Sequence, residues 1–90
     1  MTTISQSVLI TNKRGLHARA SAKFVTVAAG LSAIVEVEKD GSKVVGTSIM
    51  GLMMLGAAIG DTITISANGV GADDAVNTLV ELVEAKFGEE

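Results

Sequence analysis

The only histidine of the 90-residue chain, His17, stands in the run Asn12-Lys13-Arg14-Gly15-Leu16-His17-Ala18-Arg19-Ala20-Ser21-Ala22-Lys23. A neutral imidazole is a competent nucleophile near pH 7. Lys13, Arg14, Arg19 and Lys23 surround it in sequence, and a helical apolar periodicity begins directly after it. The first turn of a helix offers backbone N–H groups without intrahelical partners and the positive end of the dipole, so an anion beside His17 meets donors already aimed at it. Arg19 adds a planar charged fork that fits phosphate oxygens. Nucleophile and anion clamp together point to phosphoryl chemistry. A phosphorylated imidazole keeps a labile N–P bond, suited to relaying phosphate rather than holding it. A solvated loop histidine is the plain alternative, and spacing alone leaves both readings open.

Other chemistries fit less well. One histidine with scattered carboxylates offers no metal-ligand spacing. A serine-histidine-acid triad lacks its Gly-x-Ser-x-Gly turn, and no acid lies near His17 in sequence. Gly69-Val70-Gly71 has neither the lysine nor the spacing of a nucleotide phosphate loop and reads as a turn. No metal or cofactor is therefore expected. Net charge is −3, but the four cations around His17 all precede the first acid, Glu36, and from Asp61 onward seven acids face one base, Lys86. His17 thus sits in a local cationic field on an acidic chain, fit for a phosphate or an acidic partner surface. Four cations, 2% aromatics and no Trp or Tyr argue against nucleic-acid binding.

The elements that must position His17 can be read from periodicity. Ninety residues allow one small domain, spanning 1–90, with a core built from the aliphatic residues of a chain that is 48% apolar. Ile4, Val8 and Ile10 alternate along a half-buried strand ending near Thr11. The loop 12–16 leads into a helix over 18–29, with Ala20, Phe24, Val27 and Ala28 on its inner stripe and Gly30 after its end. Strands over 33–38 and 43–46 flank the turn Asp40-Gly41. Ser48 can cap a short helix running from Ile49 to about Gly56. Gly60-Asp61 turns into a strand over 62–67. A last helix carries Asp73 and Asp74 in its first turn and the stripe Ala72, Ala75, Val76, Leu79, Leu82, Val83, closed by Lys86 and Gly88. The order β-α-β-β-α-β-α predicts an α+β fold, an antiparallel sheet covered by helices on one side. The start Met1-Thr2-Thr3-Ile4-Ser5-Gln6 has no signal-peptide character, no stretch reaches roughly 18 apolar residues, and cysteine is absent. A cytoplasmic chain without membrane insertion is expected.

The segment Thr47-Ser48-Ile49-Met50-Gly51-Leu52-Met53-Met54-Leu55 is a second point of interest. At 100° per residue its apolar side chains spread over three sides, so a short surface helix cannot hide them all. Unbranched methionines suit a surface that repacks against several partners; filling an aromatic-poor core is the alternative. Ser48 is most simply a cap, although a phosphate there would be tolerated by the helix terminus while adding charge beside the apolar patch.

At these residues the chain resembles the HPr family, the histidine-containing phosphocarriers of the phosphoenolpyruvate-dependent phosphotransferase system. Ile10 to Arg19 is similar to the family's active-site signature, and Ser48-Ile49-Met50-Gly51-Leu52 to its regulatory-serine segment. The resemblance implies an open-faced β-sandwich, a four-stranded antiparallel sheet with three helices on one face. It implies that His17 accepts phosphate on Nδ1 from enzyme I and passes it to enzyme IIA proteins with the help of Arg19, without independent turnover. It further implies that Ser48 is the position modified by HPr kinase/phosphorylase where that enzyme exists, and that Leu16, Ile49, Met50 and Met53 belong to the partner surface. Ala20 stands where the family usually has proline, and Thr26 and Ala29 where several sugar-type relatives carry lysines. Ile10 to Lys13 and Met53-Met54-Leu55 look more like the nitrogen-related branch. Sugar uptake and nitrogen-related regulation both stay open. A regulatory binding module of the same fold, controlled through Ser48, is the alternative function.

Overall fold

Alternation is clearest in Thr62–Asn68, where Ile63, Ile65 and Ala67 are buried and the residues between them are not. In the computed structural model, which describes residues 3–89, this segment lies inside the sheet. The elements are β1 (Thr3–Leu9), α1 (Ala18–Ala29), β2 (Ile34–Lys39), β3 (Ser42–Val45), α2 (Ile49–Met54), β4 (Thr62–Asn68) and α3 (Ala72–Glu84), followed by a 3-10 turn over Lys86–Gly88. The strands form one antiparallel sheet in the order β1-β4-β2-β3. Val8 lies opposite Ile63, Val37 opposite Ile65 and Val35 opposite Ala67, so one face is continuously aliphatic. The other face is mostly polar, with Leu9, Ile34 and Val45 exposed on it and Ser7 and Thr64 sharing a hydroxyl hydrogen bond of 3.1 Å across β1 and β4.

The helices cover the apolar face, giving the open-faced α+β sandwich that the element order predicts. α1 contributes Ala20, Phe24 and Ala28, and α3 contributes Ala72, Ala75, Val76, Leu79, Val80 and Val83. Burying each of the larger of these side chains stabilises the fold by roughly 1.5–3 kcal/mol. The bounds of α1 are those its periodicity predicts.

β2, β3 and β4 each lie within one residue of expectation at either end, whereas three boundaries differ by two residues or more, each for a local reason. β1 stops at Leu9 because Gly60, at φ +91°, turns the opposing chain away from the ladder; only the bonds Ile10 N–H to Asp61 O and Gly60 N–H to Ile10 O continue it. α2 stops at Met54, where the amides of Leu55 and Gly56 bond three residues back, to Leu52 and Met53, and Gly56 at φ +66° ends the helix. α3 ends at Glu84, before the Lys86 and Gly88 expected to close it. Beyond it Lys86, Phe87 and Gly88 adopt φ of 58°, 57° and 77°, a left-handed turn that folds Phe87 back into the core at 2% exposure. No apolar stripe could have announced that residue.

Candidate functional site

The loop from β1 to α1 is pinned before it presents any chemistry. Asn12 is fully buried, and its Nδ2 donates to Gly15 O at 2.8 Å. The Gly15 amide returns a bond to Asn12 O at 3.2 Å, and the Leu16 amide donates to Ala57 O at 3.0 Å, tying this loop to the segment after α2. Gly15 has φ +60°, and a Cβ there would lie 2.3 Å from Ala57 O. From the helix side, Ser21 Oγ, also buried, donates to Leu16 O at 3.1 Å. Leu16 itself is 4% exposed and packs in the core. This corrects its expected place on a partner surface: the two bonds that hold its backbone turn its side chain inward, where it supports the loop.

His17 is the residue at which this loop becomes α1. Its backbone is extended (φ −72°, ψ −179°), its carbonyl accepts the Ser21 amide at 2.9 Å, and its side chain makes no capping bond. The amides of Ala18, Arg19 and Ala20 precede that first helical bond and, among the described residues, have no partner, the arrangement in which a helix N-terminus meets an anion. Arg19 is exposed, and together with Lys13, Arg14 and Glu89 it lines an open recess beside the histidine. Lys23, the fourth cation of the motif, donates to Phe87 O at 3.0 Å and so anchors the left-handed turn.

Glu89 was not visible as a site residue in the sequence. It lies 72 residues from His17, yet its Oε2 is 2.5 Å from His17 Nε2 and its Oε1 accepts from Asn12 Nδ2 at 3.1 Å. Both partners of Asn12 Nδ2 are acceptors, which fixes the orientation of the amide. Asn12 stood in the motif without a role; it now joins loop to carboxylate. The bond from His17 holds the Glu89 carboxyl below the ordinary glutamate range, aided by Asn12 and the charge of Arg19 and opposed by desolvation. A depressed folded-state value means that the stabilisation is complete above the ordinary range and is lost as pH falls through the lowered value. Denaturant midpoints of the protein and its Glu89→Ala variant should therefore converge on acidification below the ordinary glutamate range.

Ser48 is the N-cap of α2, with its Oγ accepting the Gly51 amide at 2.9 Å. Ser48→Ala should cost about 1 kcal/mol of stability, read from urea denaturation, because a six-residue helix has little else to fix its start. Leu52 is fully buried, whereas Ile49, Met50, Met53 and Met54 are exposed by 41%, 69%, 42% and 79%. The apolar side chains of α2 thus face outward rather than filling the core, apart from Leu52; Leu55, directly after the helix, is half-buried. Among the described residues no helix is long and apolar enough to cross a membrane.

Comparison with known proteins agrees with this geometry. A family model described as the PTS HPr component phosphorylation site matches residues 4–85. The phosphocarrier protein HPr of Neisseria meningitidis serogroup A is 46% identical over 86 residues, covering 96% of this chain and 97% of the relative. The phosphocarrier protein NPr of Shewanella violacea is 39% identical over 89 residues, covering 99% and 98%. In three dimensions the chain is similar to HPr-C-His from Thermoanaerobacter tengcongensis, with a TM-score of 0.90, 46% identity, and coverage of 100% and 99%.

Proposed function

The chain belongs to the HPr family of phosphotransferase-system phosphocarriers, and from that premise we propose that His17 is the residue that carries the phosphoryl group. In this reading enzyme I is the donor and enzyme IIA proteins are the acceptors, in the cytoplasm, serving sugar uptake or nitrogen-related regulation. The observation that carries it is the place of His17: a lone imidazole at the start of α1, where the first helix amides have no intrahelical partner, beside a recess lined by Lys13, Arg14 and Arg19. Phosphate arriving there loses little solvation that these donors do not replace. Named relatives of both the HPr and the NPr kind are similar over nearly the full chain, which is why both branches are kept.

Docking is assigned to the outward side of α2, through Ile49, Met50 and Met53. The Leu16–Ala57 backbone bond ties the segment following α2 to the loop preceding His17, so a partner seated on this helix is brought toward the imidazole. Ser48 supports a second reading, a binding module regulated by HPr kinase/phosphorylase: its hydroxyl is half-buried and already engaged with Gly51, next to the apolar patch. Phosphorylation would exchange that neutral cap for a doubly charged one beside the docking face.

Intact-mass measurement after incubation with enzyme I, phosphoenolpyruvate and Mg²⁺ tests the carrier reading. One acid-labile phosphate adduct is expected; its absence with both sugar-type and nitrogen-related enzyme I leaves the Ser48 module as the function. Within the carrier reading, Arg19→Ala should slow phosphorylation by about a hundredfold, the lower end of what losing one preorganised donor to developing charge costs. A rapid-quench time course reads that change.

A further inference from the structure

The two nitrogens of His17 have different surroundings. Nε2 meets Glu89 Oε2 at 2.5 Å, whereas the side chain makes no capping bond to the amides of α1. A carboxylate accepts only, so Nε2 must carry the proton of this bond, and in the neutral ring the lone pair is then on Nδ1. We propose that Glu89 is a positioning residue for His17, holding the proton on Nε2 so that Nδ1 is the nucleophile and the growing charge of the ring is met by a carboxylate on its far side. The proposal rests on the carrier reading of His17.

The path by which Glu89 reaches the imidazole supports a committed contact. Lys86 and Phe87, neither of them glycine, both occupy the left-handed region, at roughly 1–2 kcal/mol each. Burial of Phe87 and the Lys23 bond to its carbonyl offset that strain. Two residues later the Glu89 carboxylate divides its oxygens between His17 and Asn12, and Asn12 is locked to Gly15 within the same loop. One residue thereby fixes the ring and is fixed by the loop that carries it. The His17 and Glu89 side chains are 20% and 22% exposed, so this bond is partly shielded from water.

The transfer step balances without a further reactant. The Nδ1 lone pair forms the new N–P bond while the donor's bond to phosphorus breaks, its electron pair leaving on the donor. The proton stays on Nε2 throughout, and the ring passes from neutral to cationic against Glu89. This is the role that a carboxylate plays toward any histidine whose second nitrogen reacts. In the return transfer the same cationic ring is the better leaving group. Among the described residues, the charged groups around this unit are Arg19 on α1, Lys13 and Arg14 on the preceding loop, and Lys23 bonded to the left-handed turn.

The test uses the full chain and its Glu89→Ala and Glu89→Gln variants. Nitrogen-15 NMR of the imidazole at a pH where the ring is neutral should find the proton on Nε2 in the parent and a mixture of tautomers in Glu89→Ala, with Glu89→Gln, which can still accept a bond, nearer the parent. Phosphorylation of Glu89→Ala by enzyme I should slow by about tenfold, the lower end of what losing an orienting partner of histidine costs. Unchanged tautomers, or an unchanged rate, overturn the proposal. A parent protein that takes no phosphate at all overturns the carrier reading instead, and the two failures are thereby told apart.

Discussion

Alanine at position 17 is expected to leave the protein folded and unable to take up phosphate. The His17 side chain lies outside the buried aliphatic core and, among the described residues, makes a single hydrogen bond, to Glu89, and the helix start depends on its carbonyl, which alanine retains. The stability change should therefore stay within about 1 kcal/mol, as for other partly exposed positions that lose one hydrogen bond. Chemistry has no such reserve. The chain has one histidine and no cysteine, and its serine and threonine hydroxyls lie far above the pKa at which they act unaided. The adduct seen by intact mass in the parent should vanish in His17→Ala, with an unchanged circular dichroism spectrum and a thermal midpoint lowered by no more than about 8 °C. An acid-stable adduct that survives in the variant would place the phosphate on a hydroxyl such as Ser48 and favour the regulatory module.

The parts of the molecule legible in sequence are those governed by local periodicity. α1 was readable to the residue because Ala20, Phe24 and Ala28 repeat at helical spacing between a charged loop and Gly30. β4 was readable because Ile63, Ile65 and Ala67 alternate with polar residues. The methionine helix was readable as a surface problem, since no single face can take side chains from every side of a short cylinder. What escaped reading depends on backbone dihedrals and on contacts between distant segments. Phe87 belongs to no stripe; a left-handed turn of two non-glycine residues places it. Glu89 follows from that turn, and a search for acids near His17 in sequence could not reach a partner 72 residues away. Leu16 was misplaced for a related reason: Lys13, Arg14 and Arg19 of the same motif are charged and exposed, but the bonds through Ala57 and Ser21 turn Leu16 inward.

Gly15→Ala should do more damage than any other single methyl group added to the site, and the reason lies in two independent constraints. At φ +60° an alanine is disfavoured by roughly 1–2 kcal/mol, and its Cβ would stand 2.3 Å from Ala57 O and 2.8 Å from Ala58 Cα. Those are backbone atoms, so no side chain can rotate away, and one of the two segments must shift. Either shift strains the Leu16–Ala57 bond and the Asn12–Gly15 pair, each worth on the order of 1 kcal/mol. The sum is a loss of about 3 kcal/mol or more, measurable by urea denaturation. Gly41→Ala is the control: it has φ +85° in the β2–β3 turn with nothing within 4 Å of a new Cβ, so it carries the dihedral cost alone. The rates should separate the two variants further. A shift of about 1 Å in a reacting group costs about a hundredfold, and Gly15 is two residues from the nucleophile and bonded to the amide that holds Glu89. Phosphorylation of Gly15→Ala should therefore fall by that order, under conditions where it is still folded, while Gly41→Ala reacts at the parent rate. Equal rates in the two would mean that the loop delivers His17 without needing its seat on Ala57, and that the imidazole is placed by α1 alone.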